Sequence, residues 1–172
     1  MERLLWQNKP AIVKRWFELV AGTYPADTAK FLKQEGDRFL NPVGATFSEE
    51  LDAIYQELLE GMNEERLSSR LSNIIKIRSV QDFPPSQAIG FVFLLKRAIR
   101  EELRGIKEDN VLRELVEFDL KIDKLALLAL DIYAECREKI YQLSLEQIRN
   151  EREMAFKLLE RSTMRAGEGE EI

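Results

Sequence analysis

The sequence predicts an all-α fold, a single-domain multi-helix bundle of about six helices that ends in a long C-terminal helix. Three observations carry this expectation. Apolar residues recur at three- and four-residue spacing throughout, and no stretch alternates apolar with polar as a half-buried strand does. Breakers are sparse, eight glycines and five prolines in 172 residues, and they fall between the periodic runs. From Asp109 onward neither type occurs again until Gly167.

Taken in order, Leu4, Leu5, Ile12, Val13, Trp16, Phe17 and Val20 keep helical spacing, and Gly22 and Pro25 end the run. Pro10 fits inside it if Asn8 caps a new helix and the proline lies in that helix's first turn. A short helix follows over residues 26–35, stopped at Gly36. Asn41-Pro42-Val43-Gly44 reads as a loop, with Ser48 as the cap of the next helix. Leu51, Ile54, Tyr55, Leu58 and Leu59 mark that helix, which closes at Gly61. Asn63 caps another, carrying Leu67, Leu71, Ile74, Ile75 and Arg78. Pro84-Pro85 then opens a helix through Ile89, Val92, Phe93, Leu95, Ala98, Ile99 and Leu103, closed by Gly105.

In the last segment Leu115, Phe118, Ile122, Leu125, Ala129, Ile132 and Cys136 alternate steps of three and four, the seam of helix packing. Leu128, Leu130, Ile140 and Leu143 widen this face. A straight helix over residues 111–159 measures roughly 73 Å. A globule of this chain length spans only about 40 Å. The helix must therefore bend, break or project. Ser144-Leu145-Glu146-Gln147 fits a capping box and marks a break. Beyond it, Leu145, Ile148, Phe156 and Leu159 either pack back on their own subunit or meet a partner, which points to a homodimer or another protein. The expected organisation is a helical domain over residues 1–143, a helical extension over 144–165 and a disordered acidic tail over 166–172.

Composition removes several classes of function. With no histidine there is no Ser-His or Cys-His couple, no His-ligated zinc and no proximal-histidine haem. Lone Cys136 cannot build a thiolate cage or an intrachain disulfide, which suits a reducing compartment and a cytoplasmic address. Met1-Glu2 opens no signal peptide, and the richest apolar stretches, residues 88–95 and 125–130, fall short of the ~20 residues of a membrane span. The net charge of −5 comes from 26 basic and 31 acidic residues interspersed, which argues against nucleic acid as the main partner. Acidic pairs such as Glu49-Glu50 and Glu101-Glu102 point about a hundred degrees apart on a helix and share no site. No enzyme, cofactor or metal is expected.

Two polar clusters remain as candidate ligand or partner sites. Asp37, Arg38 and Asn41 surround the first long loop, where Arg38 offers an anion anchor and Asn-Pro favours a turn. Arg78, Gln81 and Asp82 precede Phe83-Pro84-Pro85-Ser86-Gln87, where a helix start with Ser86 and Gln87 attracts anions. For both clusters the plainer reading is structural: a turn, a cap and local ion pairs. Trp6, Trp16 and the phenylalanines at helical spacing read as core.

Those two loops carry a family resemblance. Arg38-Phe39-Leu40-Asn41-Pro42-Val43-Gly44, Ile77-Arg78-Ser79-Val80-Gln81-Asp82-Phe83, Pro85-Ser86-Gln87-Ala88, Asp131-Ile132-Tyr133 and Glu135-Cys136-Arg137-Glu138-Lys139-Ile140-Tyr141 resemble the RsbRD N-terminal domain family over residues 4–145. The resemblance implies a haem-free, globin-like helical sensory module of RsbT co-antagonist proteins in bacterial stress signalling. It also implies a STAS domain downstream, and no α/β segment follows here, so the output is expected on an unknown signalling protein of another chain. Pro84 stands where the family commonly has a Ser or Thr cap. The function that follows is non-enzymatic regulation through protein–protein interaction. The alternative is a small-molecule receptor with an interhelical pocket edged by Arg38, Arg78 and Asp82.

Overall fold

The structure is a computed structural model that describes residues 2–34, 39–81, 83–104 and 109–167, without the side chains of residues 2, 109–114 and 160–167. Among the described residues every regular element is a helix: α1 (Glu2–Gln7), α2 (Lys9–Ala21), α3 (Ala26–Leu32), α4 (Pro42–Glu60), α5 (Glu64–Val80), α6 (Pro85–Glu102) and α7 (Asp109–Gly167). The chain forms two compact units, Met1–Ala134 and Glu135–Ile172. The extension expected over residues 144–165 lies within the second. None of the described helices is long and apolar enough to cross a membrane.

Helix starts explain where the elements differ from expectation. Asn8 separates α1 from α2 without a side-chain cap, its amide donating back to the Leu4 carbonyl at 2.9 Å. Pro10 falls in the first turn of α2, where its missing N–H costs nothing. The stretch Asn41-Pro42-Val43-Gly44 is no loop. It is the cap and first turn of α4, which starts at Pro42, ahead of Ser48. The Asn41 side chain accepts the Gly44 N–H at 2.9 Å, and Pro42 brings a preset helical φ. Asn63 caps α5 by accepting the Arg66 N–H at 3.0 Å, as expected. Pro84 precedes α6 and gives no side-chain cap.

In the first unit α2 packs most extensively on α6, and α4 on α5. Trp16 is the largest buried side chain; it stacks on Phe91 at 6.4 Å and donates Nε1–H to the Phe91 carbonyl at 2.7 Å. Buried Tyr55 donates to the Leu5 carbonyl at 3.2 Å, tying α1 to α4. Phe118, Ile122, Leu125, Ala129 and Ile132 of α7 are buried, so the three-four seam is real. Lys96 pairs with Asp123 at 2.7 Å, Arg100 pairs with Asp119, and Lys121 donates to the Leu58 carbonyl at 3.1 Å. Some expected core residues are on the surface. Trp6 is 41% exposed, and Phe31, Phe39, Phe93, Leu130 and Leu143 are exposed as well, because helical spacing alone does not say how wide the covered face is.

In the second unit α7 passes Ser144 without a break. The Ser144 hydroxyl donates to the Ile140 carbonyl at 3.0 Å, one turn back, as a mid-helix serine does. The capping-box pattern there is therefore not used. Leu145, Ile148, Phe156 and Leu159 are between 48% and 63% exposed.

Candidate functional site

The polar centre of the first unit is Arg78, in the last turn of α5. A cation there suits the negative end of the helix. It is wholly buried, at 0% exposure. Nη2 donates to Thr23 Oγ1 at 3.2 Å and to the Gln87 carbonyl, in the first turn of α6, at 3.0 Å. The guanidinium carbon lies 4.4 Å from the Phe83 ring centre, 5.1 Å from Tyr24 and 5.8 Å from Phe91. Among the described residues Nε and Nη1 have no hydrogen-bond partner.

Burying a charge costs several kcal/mol. Here neutral groups offset it: each desolvated cation–π contact contributes up to about 2 kcal/mol, and each hydrogen bond from a charged donor about 1.5–3 kcal/mol. Burial nevertheless pulls the Arg78 pKa below its ordinary value. It pushes the Tyr24 phenol up, an effect that the Arg78 charge partly offsets. Tyr24 also donates to Gln81 Oε1 at 3.1 Å and makes edge contacts with Phe47 and Phe83. From α7, Tyr133 donates to the Phe83 carbonyl at 2.8 Å. The cluster thus ties the end of α2, the end of α5, the start of α6 and the first unit's part of α7 to one shielded cation.

Of the candidate residues, the structure gathers Arg78, Gln81 and Gln87 around this point, Gln87 through its backbone carbonyl. Asn41 serves a different junction. Its amide donates to the carbonyls of Phe31, Leu32 and Gln34 at 2.9, 3.1 and 3.3 Å, while its oxygen caps α4. Gly44 is required beside it, since a Cβ there would lie 2.3 Å from the Asn41 amide and 2.5 Å from the Leu32 carbonyl. Arg38 and Asp82 lie outside the described residues. The ring cage of Tyr24, Phe83 and Phe91 was not singled out in the sequence, where Gly22-Thr23-Tyr24-Pro25 signals only a helix end. A second feature is a cleft of about 780 Å³ between α2, α3 and α4, with Asn41 and Gly44 in its wall. Among the described residues no group of three or more His, Cys, Asp or Glu side chains is placed to hold a metal ion.

The first unit is thus, among the described residues, a helical unit organised around a shielded arginine. The model of the RsbT co-antagonist protein rsbRD N-terminal domain matches residues 10–148, and the chain belongs to that family. The family is one of regulatory sensory domains and is not a known enzyme family. No curated protein and no solved structure matches the chain.

Proposed function

We propose that this chain is a non-enzymatic bacterial regulatory domain of stress or signal transduction, acting in the cytoplasm through protein–protein association. In this reading it pairs with a second copy through the C-terminal part of α7 and passes its state to a signalling protein on another chain. The observation that carries the reading is the row of exposed side chains in the second unit. Tyr141, Leu145, Ile148, Ala155 and Leu159 are exposed and keep the three-four alternation of a coiled-coil seam, with Arg152 at the one polar step. Phe156 flanks the row and is exposed too. A run of large apolar side chains in contact with water marks an interaction surface. Family membership supports the regulatory part of the reading, and the missing histidine supports a haem-free one.

Light scattering coupled to chromatography tests it. The expected mass at micromolar concentration is twice the 20.1 kDa of one chain. The pair Leu145→Glu and Ile148→Glu should return it to the single-chain mass with an unchanged circular dichroism spectrum. A monomeric parent chain rules out the homodimer.

A further inference from the structure

The cleft between α2, α3 and α4 has its own chemistry. Val13 and Phe17 from α2 and Leu32 from α3 give it an apolar lining, and its volume of about 780 Å³ is that of a small-molecule site. Among the described residues five charged side chains reach it, three acidic and two basic, and their states differ. Asp52 is paired with Lys9 at 3.0 Å, Glu18 with Arg15 at 3.1 Å, and Glu49 is engaged as well. Lys14 and Lys33, both exposed, have no ion pair among the described residues. Each of these carboxylates thus has an interaction within the chain, Glu18 sharing Arg15 with Glu101, while the two ammonium groups have no ion pair among the described residues. The first turns of α2 and α4, which also border the cleft, carry no acidic residue to oppose an incoming anion.

We propose that this cleft binds an amphiphilic organic anion, its apolar body against Val13, Phe17 and Leu32 and its carboxylate toward Lys14 and Lys33. An aliphatic stem and an ammonium head let each lysine cover apolar ligand surface while meeting the charge. A small hydrophilic anion finds no use for the apolar lining, and an amphiphilic cation meets two like charges. The Asn41 latch ties the end of α3 to the start of α4 in this wall of the cleft. The inference goes beyond the association reading and does not depend on it, because the cleft lies within the first unit.

The test is isothermal titration of the full chain with decanoate, with acetate and decyltrimethylammonium as controls. Decanoate should bind one per chain, and both controls at least about tenfold more weakly. The double variant Lys14→Glu, Lys33→Glu should keep the parent circular dichroism spectrum and lose at least about tenfold in decanoate affinity, while Lys14→Arg, Lys33→Arg retains it. Should charge reversal disturb the fold, Lys14→Ser, Lys33→Ser takes its place. No heat of binding with decanoate, equal binding of the two amphiphiles, or unchanged affinity in the variant without Lys14 and Lys33 each overturns the proposal. A monomeric chain that binds decanoate would sink the homodimer and leave this site standing.

Discussion

Among the described residues the groups that contact buried Arg78 are all neutral, and that determines how substitution at 78 behaves. Thr23 keeps a second bond, from its hydroxyl to the Val20 carbonyl at 2.7 Å, so removing the guanidinium strands little around it. Arg78→Met therefore fills the space without a charge to desolvate, and stability in urea should stay within about 1 kcal/mol of the parent or rise. Arg78→Lys should cost more, about 2–4 kcal/mol, because a compact, strongly hydrated ammonium cannot spread over three rings. A lysine variant as stable as the methionine one contradicts this account. Glu101 illustrates the opposite regime. Its carboxylate sits between Arg97 at 2.8 Å and Arg15 at 2.6 Å, and their hydrogen bonds hold it down to about 2. With a folded-state pKa below the ordinary carboxylate range, its contribution is present above that range and lost as pH falls toward 2. In side-chain carboxyl NMR, Arg97→Gln should move the Glu101 midpoint upward; no movement refutes the assignment.

At the scale of elements, caps separate what the chain announces from what it conceals. Asn63 before Glu64-Glu65 is legible because cap and first-turn acids coincide, and the structure uses them. In the sequence Asn41 reads as part of a loop because Pro42 and Gly44 both signal turns. Its oxygen, accepting the Gly44 N–H, shows that it starts a helix, and its amide ties that start to the carbonyls of Phe31, Leu32 and Gln34. Ser144 misleads in the other direction, since Ser-x-x-Gln recurs by chance within a long polar helix. The two serve as a matched pair of tests. Asn63→Ala should lower stability by about 1 kcal/mol, as loss of a true cap does. Ser144→Ala should leave helicity and stability unchanged or slightly raised, since alanine is the better residue inside a helix. A loss at 144 equal to that at 63 would restore the break.

For the whole molecule, the all-α class was readable from spacing alone, and so was the buried seam of α7. The candidate site was readable only in part. Arg78 stood out by its place before two prolines, but its cage comes from Tyr24, Phe83 and Phe91 on separate segments, and no local pattern joins them. The cleft was not legible at all, because Lys14 and Lys33 look like ordinary surface charge until the carboxylates around them are seen to be taken. A global consequence follows from composition. With no histidine, no side chain has an ordinary pKa between about 5 and 8. The urea midpoint should therefore be flat over that window, and a marked slope near neutrality would mean that some other group titrates there.

The two tryptophans of the first unit stand in opposite environments. Trp16 lies wholly inside, stacked on Phe91 with its indole N–H bonded, while Trp6 meets water. The intrinsic fluorescence of the folded chain is therefore a sum of two emitters, one open to a dissolved quencher and one closed to it. Trp16 also sits one residue before Phe17 of the cleft. The closed emitter is thus a built-in optical reporter on α2, silent to solvent while the bundle holds and unmasked when it opens.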